Sequence, residues 1–428
     1  MSPSLGLRVR DWGLEILQTA FRLLPWPTEP GLRSIGTPDE SSPVLLTCNY
    51  ALTVRRLVAT LEGCDAWLVV APTAGINVWC AAAGGHMSTH QIVSALKTSG
   101  VAERVRHRDV ILPQLAATGV LALEVFRRCR WRVRFGPVSA SDLPAYLASG
   151  EKTDAMRRIR FSLRDRLEMA ASWAAPTALV VGGGALFIRP EWALPLMGLV
   201  VAMAVLVFNV YDRLGPRRKT TFALGASVAA LAVTWLAGGA AAALATAAIA
   251  ACFVSALLTY DYTGSTPIEG GSHFEERRWT IAFDLERCDG IFRCWEVCPE
   301  ACFEKLESER KVALAHDDRC IRCGACIVQC PQDALFFEDE AGARIEPDVI
   351  RKYKLNLLGR RSIDARSGGH SISSSRSGSG SVSNFLRGAT NPTMTVSPRL
   401  PGVNQLRYRP HSGSRPIPRV EGKGIRGR

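Results

Sequence analysis

Cys320-Ile321-Arg322-Cys323-Gly324-Ala325-Cys326-Ile327-Val328-Gln329-Cys330-Pro331 decides how the rear of this chain folds. Its cysteines are separated by two, two and three residues and are followed by proline, the spacing of iron–sulfur cubane ligands. Three thiolates on one tight loop reach three irons of one cubane. The fourth begins a turn that points to a second cluster. A structural zinc site would pair two separate Cys-x-x-Cys knuckles, and this run is not built that way.

A shortened copy lies upstream. Cys288, Cys294 and Cys298-Pro299 hold the first, third and fourth places, and Ile291 stands in the second. Such paired runs exchange their last ligand. One site is then Cys298, Cys320, Cys323 and Cys326, a [4Fe-4S] centre. The other has Cys288, Cys294 and Cys330. Three thiolates suit a [3Fe-4S] cluster or a [4Fe-4S] cluster with a labile iron, and Cys302 is the candidate fourth ligand.

Eight of the 13 cysteines fall between Cys288 and Cys330. Met1–Arg10 shows neither a long apolar core nor a small-residue cleavage site, so a reducing compartment and a metal role are expected rather than a disulfide framework. The net charge is +13 over 428 residues. After Gly359 there are 13 Lys/Arg against 2 Asp/Glu, so about +11 of that excess sits in the tail. The remainder is nearly neutral, and nucleic acid is not an expected partner. Residues 359–428, rich in Ser, Gly, Arg and Pro, are expected to be disordered because they cannot bury enough surface to offset chain entropy.

Ahead of the cysteines, Ala171–Ile188 and Trp192–Tyr211 carry no charge, with Arg189-Pro190-Glu191 between them. Thr220–Tyr260 is uncharged over 41 residues, about twice the ~20 that one helix needs to cross a bilayer. Gly238-Gly239 marks its turn. The expectation is a four-helix transmembrane domain at 171–260, with spans near 171–188, 192–211, 220–237 and 241–260. The middle loop holds Arg213, Arg217, Arg218 and Lys219. The positive-inside rule puts that loop in the cytoplasm. Both flanking domains then face the cytoplasmic side of a multi-pass inner-membrane protein.

Within residues 1–36, Val9, Trp12, Ile16, Ala20, Leu23 and Leu24 share one face of a helix over 9–24. That helix either docks on its neighbour or lies in a membrane interface. Residues 37–168 alternate apolar runs (Val44–Thr47, Trp67–Val70, Val110–Leu112, Trp131–Phe135) with helical stretches (Thr53–Leu61, Thr89–Leu96). This pattern argues for an α/β, Rossmann-like domain on a mostly parallel sheet. Arg157, Arg158, Arg160, Arg164 and Arg166 form a basic amphipathic segment before the first span. A linker at 261–279 leads to an α+β, two-cluster domain at 280–358.

Asn77-Val78-Trp79-Cys80-Ala81-Ala82 follows the Trp67–Val70 strand, and Ser88-Thr89-His90-Gln91 reads as a capping box. Cys80 therefore sits at the mouth of a strand–loop–helix unit, where ligands often bind and helix amides would favour its thiolate. Cys64 and Cys129 read as structural, Cys252 lies in an apolar span, and Cys48 is a core or a pocket residue.

These residues carry a resemblance. Pro43–Tyr50, Gly75–Ala82, His107–Leu115 and Gly136-Pro137-Val138 resemble the corrinoid protein of the mercury-methylation system. That family is related to the large corrinoid subunit of the acetyl-CoA pathway. Thr263–Pro267 fits the same family, whose partner is a two-cluster bacterial-type ferredoxin, so the two are joined here. The resemblance implies that Cys80 is the lower axial cobalt ligand and the catalytic residue. Thr47, Asn49, Asn77, Val78, Trp79, Ala81 and Ala82 would lie at the corrinoid, with His86 or His90 as alternative ligands. The ferredoxin would re-reduce cobalt, implying an external electron donor and a methyl donor protein or cofactor. The acceptor would be Hg(II) or another species. The family's Gly-Lys is here Ala83-Gly84, and no cysteine follows Cys330. The competing expectation is a membrane-bound electron-transfer protein whose front domain binds a ligand or nothing.

Overall fold

The computed structural model describes residues 5–160, 162–210 and 279–353, scattered positions between 225 and 249, and the short pieces Ser362–Ile363 and Ile372–Ser373.

The front domain is built on a five-stranded sheet of order β1-β3-β2-β4-β5, comprising β1 Gly31–Ile35, β2 Val44–Cys48, β3 Ala66–Ala71, β4 Asp109–Leu112 and β5 Arg132–Phe135. β2 through β5 pair in parallel, as expected, and β1 adds an antiparallel edge against β3. Nothing in the chain's pattern signals β1, because its Gly-Leu-Arg-Ser-Ile run neither alternates nor clusters apolar residues. β2 is buried at every position, the mark of a strand covered on both faces.

Alternation sorts the two faces. Leu45, Leu68, Val70 and Ile111 pack with Leu57 of α2 (Ala51–Thr60) and Leu147 of α6 (Leu143–Ser149). Val44, Leu46, Val69 and Leu112 pack with Ile92 of α4 (Thr89–Thr98) and Val125 of α5 (Ala122–Cys129). The chain winds from β2 out to β3, then crosses back to β4 and β5. Its switch point is therefore the crevice beyond the carboxyl ends of β2 and β4.

α1 (Leu5–Ala20) lies against α8 (Leu163–Ile188). Arg56 bonds Glu15 at 3.1 Å and Glu168 at 2.7 Å. The expected apolar face is not what docks: Trp12 is 70% exposed and Ile16 51%, while Gln18 is buried. Ion pairs, rather than apolar contact, set the helix's orientation here. α8 opens on a capping box between Ser162 and Asp165. The box expected at Ser88 is not made: α4 starts there, but the Ser88 hydroxyl meets the Gln91 side chain instead of the backbone.

α8 and α9 (Ala193–Val210) pack together through Ala170, Ala174 and Ala178 against Val200, Met203, Ala204 and Val207. Small residues at every fourth position allow the close approach typical of helices in lipid. The outer surface is apolar; Phe187 is 94% exposed and Leu194 79%. Both helices are long and apolar enough to cross a membrane. The first begins at Leu163 instead of 171, since the capping box lies before the apolar run. The spans expected at 220–237 and 241–260, the 261–279 linker with Thr263–Pro267, and Cys252 fall outside the described residues, apart from isolated helical positions. In the tail, the described residues form a two-residue strand pair, Ser362–Ile363 with Ile372–Ser373, so that piece differs from the disorder expected.

The rear domain pairs β6 (Trp279–Phe283) with β9 (Leu335–Asp339) and β9 with β10 (Arg344–Ile345). A hairpin of β7 (Phe303–Leu306) and β8 (Lys311–Leu314) stands beside it. Short helices Arg293–Val297 and Ala325–Gln329 each carry one cysteine of the two runs.

Candidate functional site: a switch-point cavity and a cysteine core

A cavity of about 370 Å³ occupies the switch point. Thr47 of β2, Pro113 and Leu115 after β4, Gly136-Pro137 after β5, and Asn77 to Trp79 after β3 form its walls. Arg22, following α1, and Asp165 and Met169 of α8 close its outer side. Thr47 Oγ1 and Trp79 Nε1 are buried and have no hydrogen-bond partner within the protein. Such groups carry a desolvation cost of roughly 1–3 kcal/mol. Two of them on one cavity wall fit a polar ligand. Thr47→Val is expected to stabilise the free protein, by removing an orphan, while weakening ligand binding about tenfold. Thermal unfolding and cobalamin titration read these opposite signs.

Asn77 caps α3 (Val78–Ala83), its side chain accepting from the Cys80 backbone N–H at 2.9 Å. Asn49 works behind the wall. Its Oδ1 accepts from Thr73 N and Gly75 N, both at 2.9 Å, and so holds the loop that leads into α3. Cys80 itself is partly buried beside this wall and is not among the lining residues. Burial pushes its thiol up, against the opposing pull of the Asn77 side chain and the Arg22 charge. The Cys80 backbone N–H does favour the thiolate, as expected of a helix amide, but burial outweighs it. Val78 and Trp79 face the cavity, whereas Ala81 and Ala82 belong to the fully buried core. His86 and His90 are exposed. Cys48 is a core residue with no exposure, and Cys129 Sγ donates to Val125 O at 3.2 Å.

The 3-10 turn Gln114–Thr118 packs on α3. A Cβ at Gly119 would stand 2.5 Å from Ala82 O and 2.6 Å from Met87 O. Gly119→Ala is therefore expected to cost about 3 kcal/mol through forced backbone shifts. The loss should appear as a lower front-domain unfolding temperature and a weaker cobalamin affinity together.

In the rear domain Cys298, Cys302, Cys320, Cys323 and Cys326 surround one small cavity. Cys302 N donates to Cys298 Sγ at 3.3 Å, and the Cys302 thiol bonds both Cys298 and Cys320. The expectation that Cys302 completes the site lacking a cysteine at Ile291 is thus corrected. The β7 hairpin folds it toward the other site. Cys294 groups with Cys330 and Cys288, whose charges join burial in pushing its thiol up to about 12. Burial and neighbouring sulfurs likewise raise Cys323 and Cys326.

The cysteines of the described residues are free thiols. So many buried sulfurs can ionise together only beside positive charge, which is what iron supplies. Among the described residues no three His, Cys, Asp or Glu converge on a single ion. A cubane spreads its thiolates over separate irons, so this is no obstacle to it.

The two loops share one backbone. Positive φ occurs at Arg322, Gly324 and Asp333, and at the matched Gly290, Phe292 and Ala301. The N–H of Ala334 reaches Cys330 Sγ as that of Cys302 reaches Cys298 Sγ. Ile291 therefore occupies the place that Cys323 holds in the other loop. Ile291→Cys is expected to add about one iron per chain, turning a three-thiolate site into a full one. Iron analysis and EPR after anaerobic reconstitution would show it; an unchanged iron count would contradict the equivalence.

The segment expected to be basic and amphipathic ahead of the first span is partly interior at Arg157. Arg157 is 4% exposed and lies 3.1 Å over the Trp295 ring. Its neighbour Lys152 donates to Gln114 Oε1 at 3.0 Å and Glu296 O at 3.2 Å, and burial pushes its ammonium down to about 8. In the sequence Gln114 falls within the resembling stretch His107–Leu115, Arg157 within the basic segment and Gln329 within the cysteine run, but none is singled out there, and Lys152 carries no signal.

Residues 17–147 match the family model described as CO dehydrogenase/acetyl-CoA synthase delta subunit, and residues 315–336 match the 4Fe-4S binding domain. The chain is 35% identical over 125 residues to the acetyl-CoA decarbonylase/synthase complex subunit gamma of Methanopyrus kandleri, covering 29% of this chain and 27% of that one. The Methanocaldococcus jannaschii counterpart is 41% identical over 96 residues, covering 22% and 20%. The chain thus spans 27% or less of the length of these relatives. The front domain is therefore related to the corrinoid protein of the acetyl-CoA pathway, the rear domain is an iron–sulfur domain, and the two matches together support a corrinoid and a [4Fe-4S] cluster as cofactors.

Proposed function

We propose that this chain is a membrane-anchored, corrinoid-dependent methyl-transfer protein that carries its own electron supply. The observation that carries this reading is the switch-point cavity, with Thr47 Oγ1 and Trp79 Nε1 unpartnered on its wall and Cys80 in the helix alongside. A bound corrinoid supplies a cobalt that accepts and releases a methyl group. The chain's residues do the rest. Thr47 and Trp79 offer hydrogen bonds, Asn77 fixes the turn before Cys80, and the Arg22 charge favours the Cys80 thiolate that would hold the cobalt. Cys298, Cys320, Cys323 and Cys326 hold the [4Fe-4S] cluster, and Cys288, Cys294 and Cys330 hold the second. α8 and α9 anchor both domains at the cytoplasmic face of the inner membrane. The methyl donor is a protein or small cofactor, the acceptor Hg(II) or another soft electrophile, and an external carrier supplies electrons.

The test is cobalt and iron content of the full chain purified anaerobically from cobalamin-replete cells. About one cobalt per chain supports the reading. Iron without cobalt favours the alternative, a membrane-bound electron-transfer protein with a non-catalytic front domain. The absence of Cys80 from the cavity lining speaks for that alternative. Methylmercury formation dependent on this chain would identify Hg(II) as the acceptor.

A further inference from the structure

We infer that the Cys298–Cys320–Cys323–Cys326 site is the exit port for electrons, held permanently against the front domain by Gln114 and Gln329, and that the Cys288–Cys294–Cys330 site is the entry port. This rests on the proposed function for its acceptor.

Among the described residues, the hydrogen bonds joining the two domains come from Trp295, Glu296, Cys298 and Pro299 and from Gln329, which lies between Cys326 and Cys330. Gln329 is 6% exposed; its Nε2 donates to Ala117 O at 2.7 Å and Val120 O at 2.6 Å, and its Oε1 accepts from Ala122 N at 3.3 Å. From the other side, Gln114, 1% exposed, donates to Cys298 O at 3.3 Å. Ile159 N donates to Pro299 O at 2.8 Å. Val297 and Ala325 are buried within the front domain's own core, and Cys323 packs against it.

The segment gripped in this way is 113–122. Its Pro113 and Leu115 line the cavity, and its Gly119 lies against Ala82, two residues from Cys80. One loop therefore touches both cysteine-bearing turns of the rear domain and the helix of the cofactor site, and among the cluster thiols it is Cys323 that packs against the front core. Buried amides with satisfied partners make the contact rigid, so no domain movement is needed for transfer. Cys288 lies apart from this interface and is partly exposed.

The electron count closes. Cys288, Cys294 and Cys330 would hold the cluster that takes one electron from a reduced low-potential carrier protein, which is oxidised. Cys298, Cys320, Cys323 and Cys326 would hold the cluster that hands it on, so that one electron entering balances the one-electron reduction of a bound corrinoid's cobalt(II) to cobalt(I).

The test uses the full chain in lipid nanodiscs, reconstituted anaerobically with iron, sulfide and cobalamin. With clusters reduced, magnetic broadening of the cobalt(II) EPR signal is expected to persist in Cys294→Ser and vanish in Cys323→Ser. The reverse pattern, or loss in neither, overturns the assignment. Docking is read separately by amide exchange. Gln329→Glu sets a carboxylate against two carbonyl oxygens, and exchange at residues 117–122 should rise at least tenfold while cluster absorbance is unchanged. If that variant loses iron, Gln114→Leu attacks the same contact from the front domain. Unaltered exchange in both overturns the permanent dock. No retained cobalamin would sink the proposed function itself, whereas the exchange arm needs no cobalt and still decides the docking.

Discussion

Stripping iron from the anaerobically purified chain is expected to unfold residues 279–353 while the front sheet stays folded. Cys294, Cys298, Cys302, Cys326 and Cys330 are all in the buried core of the rear domain, interleaved with apolar side chains such as Phe303, Leu335 and Phe337. A domain this small seldom closes its stability balance on apolar burial alone. Metal binding in such domains is folding energy, on the order of 10 kcal/mol for structural sites. Without iron, the crowded thiols leave voids and unscreened sulfurs. Limited proteolysis and amide exchange after chelation should show cleavage between Trp279 and Tyr353, with β2 to β5 still protected. The 113–122 segment should lose protection as well, since Gln329 would leave it. A rear domain that keeps its protection without iron would show that the clusters are guests instead of the framework.

Cys80→Ala is the second large effect. If Cys80 ligates cobalt, its loss should remove the thiolate-to-cobalt absorption features and lower methyl transfer by at least ~100-fold, beyond what loss of a supporting residue costs. Fold stability should hardly move, because Cys80 is only partly buried and lies beside the cavity. Cobalamin should still bind through Thr47, Trp79 and the cavity walls, though more weakly. An unchanged spectrum in Cys80→Ala would remove the residue from the ligand role and leave His86 and His90, both exposed, as poor substitutes. Cobalt absent from the wild-type chain would decide for the electron-transfer alternative.

Some of the site was legible before the fold. Thr47, Asn77 and Trp79 were named from their motif, and the structure brings them to one cavity. Asn49 was named as well, yet it braces the Thr73–Gly75 loop. Nothing in a linear motif distinguishes a wall from the brace behind it. Arg157 belongs in the sequence to a basic amphipathic segment with nothing to set it apart from its neighbouring arginines; in the fold it is buried over the Trp295 ring. Gln114 lies in a resembling stretch and Gln329 in the cysteine run, yet nothing there marks either as a domain contact, since glutamine is ordinary on a surface and becomes informative only when buried and fully bonded.

What the sequence by itself determined is what depends on neighbours along the chain. Cysteines two and three residues apart must share a loop, an uncharged run of eighteen residues or more must become a long apolar helix, and buried strands must be apolar throughout. Only the tertiary structure decided that Cys302 lies with Cys298 and Cys320, that Cys323 packs against the front domain's core, and which helix face is left bare at Trp12 and Ile16. Those outcomes rest on contacts such as Gln329 to Ala117, 212 residues apart. Closing a loop of that length leaves no local periodicity to read, because its entropy grows only slowly with length and many pairings compete at similar cost until the cores are packed.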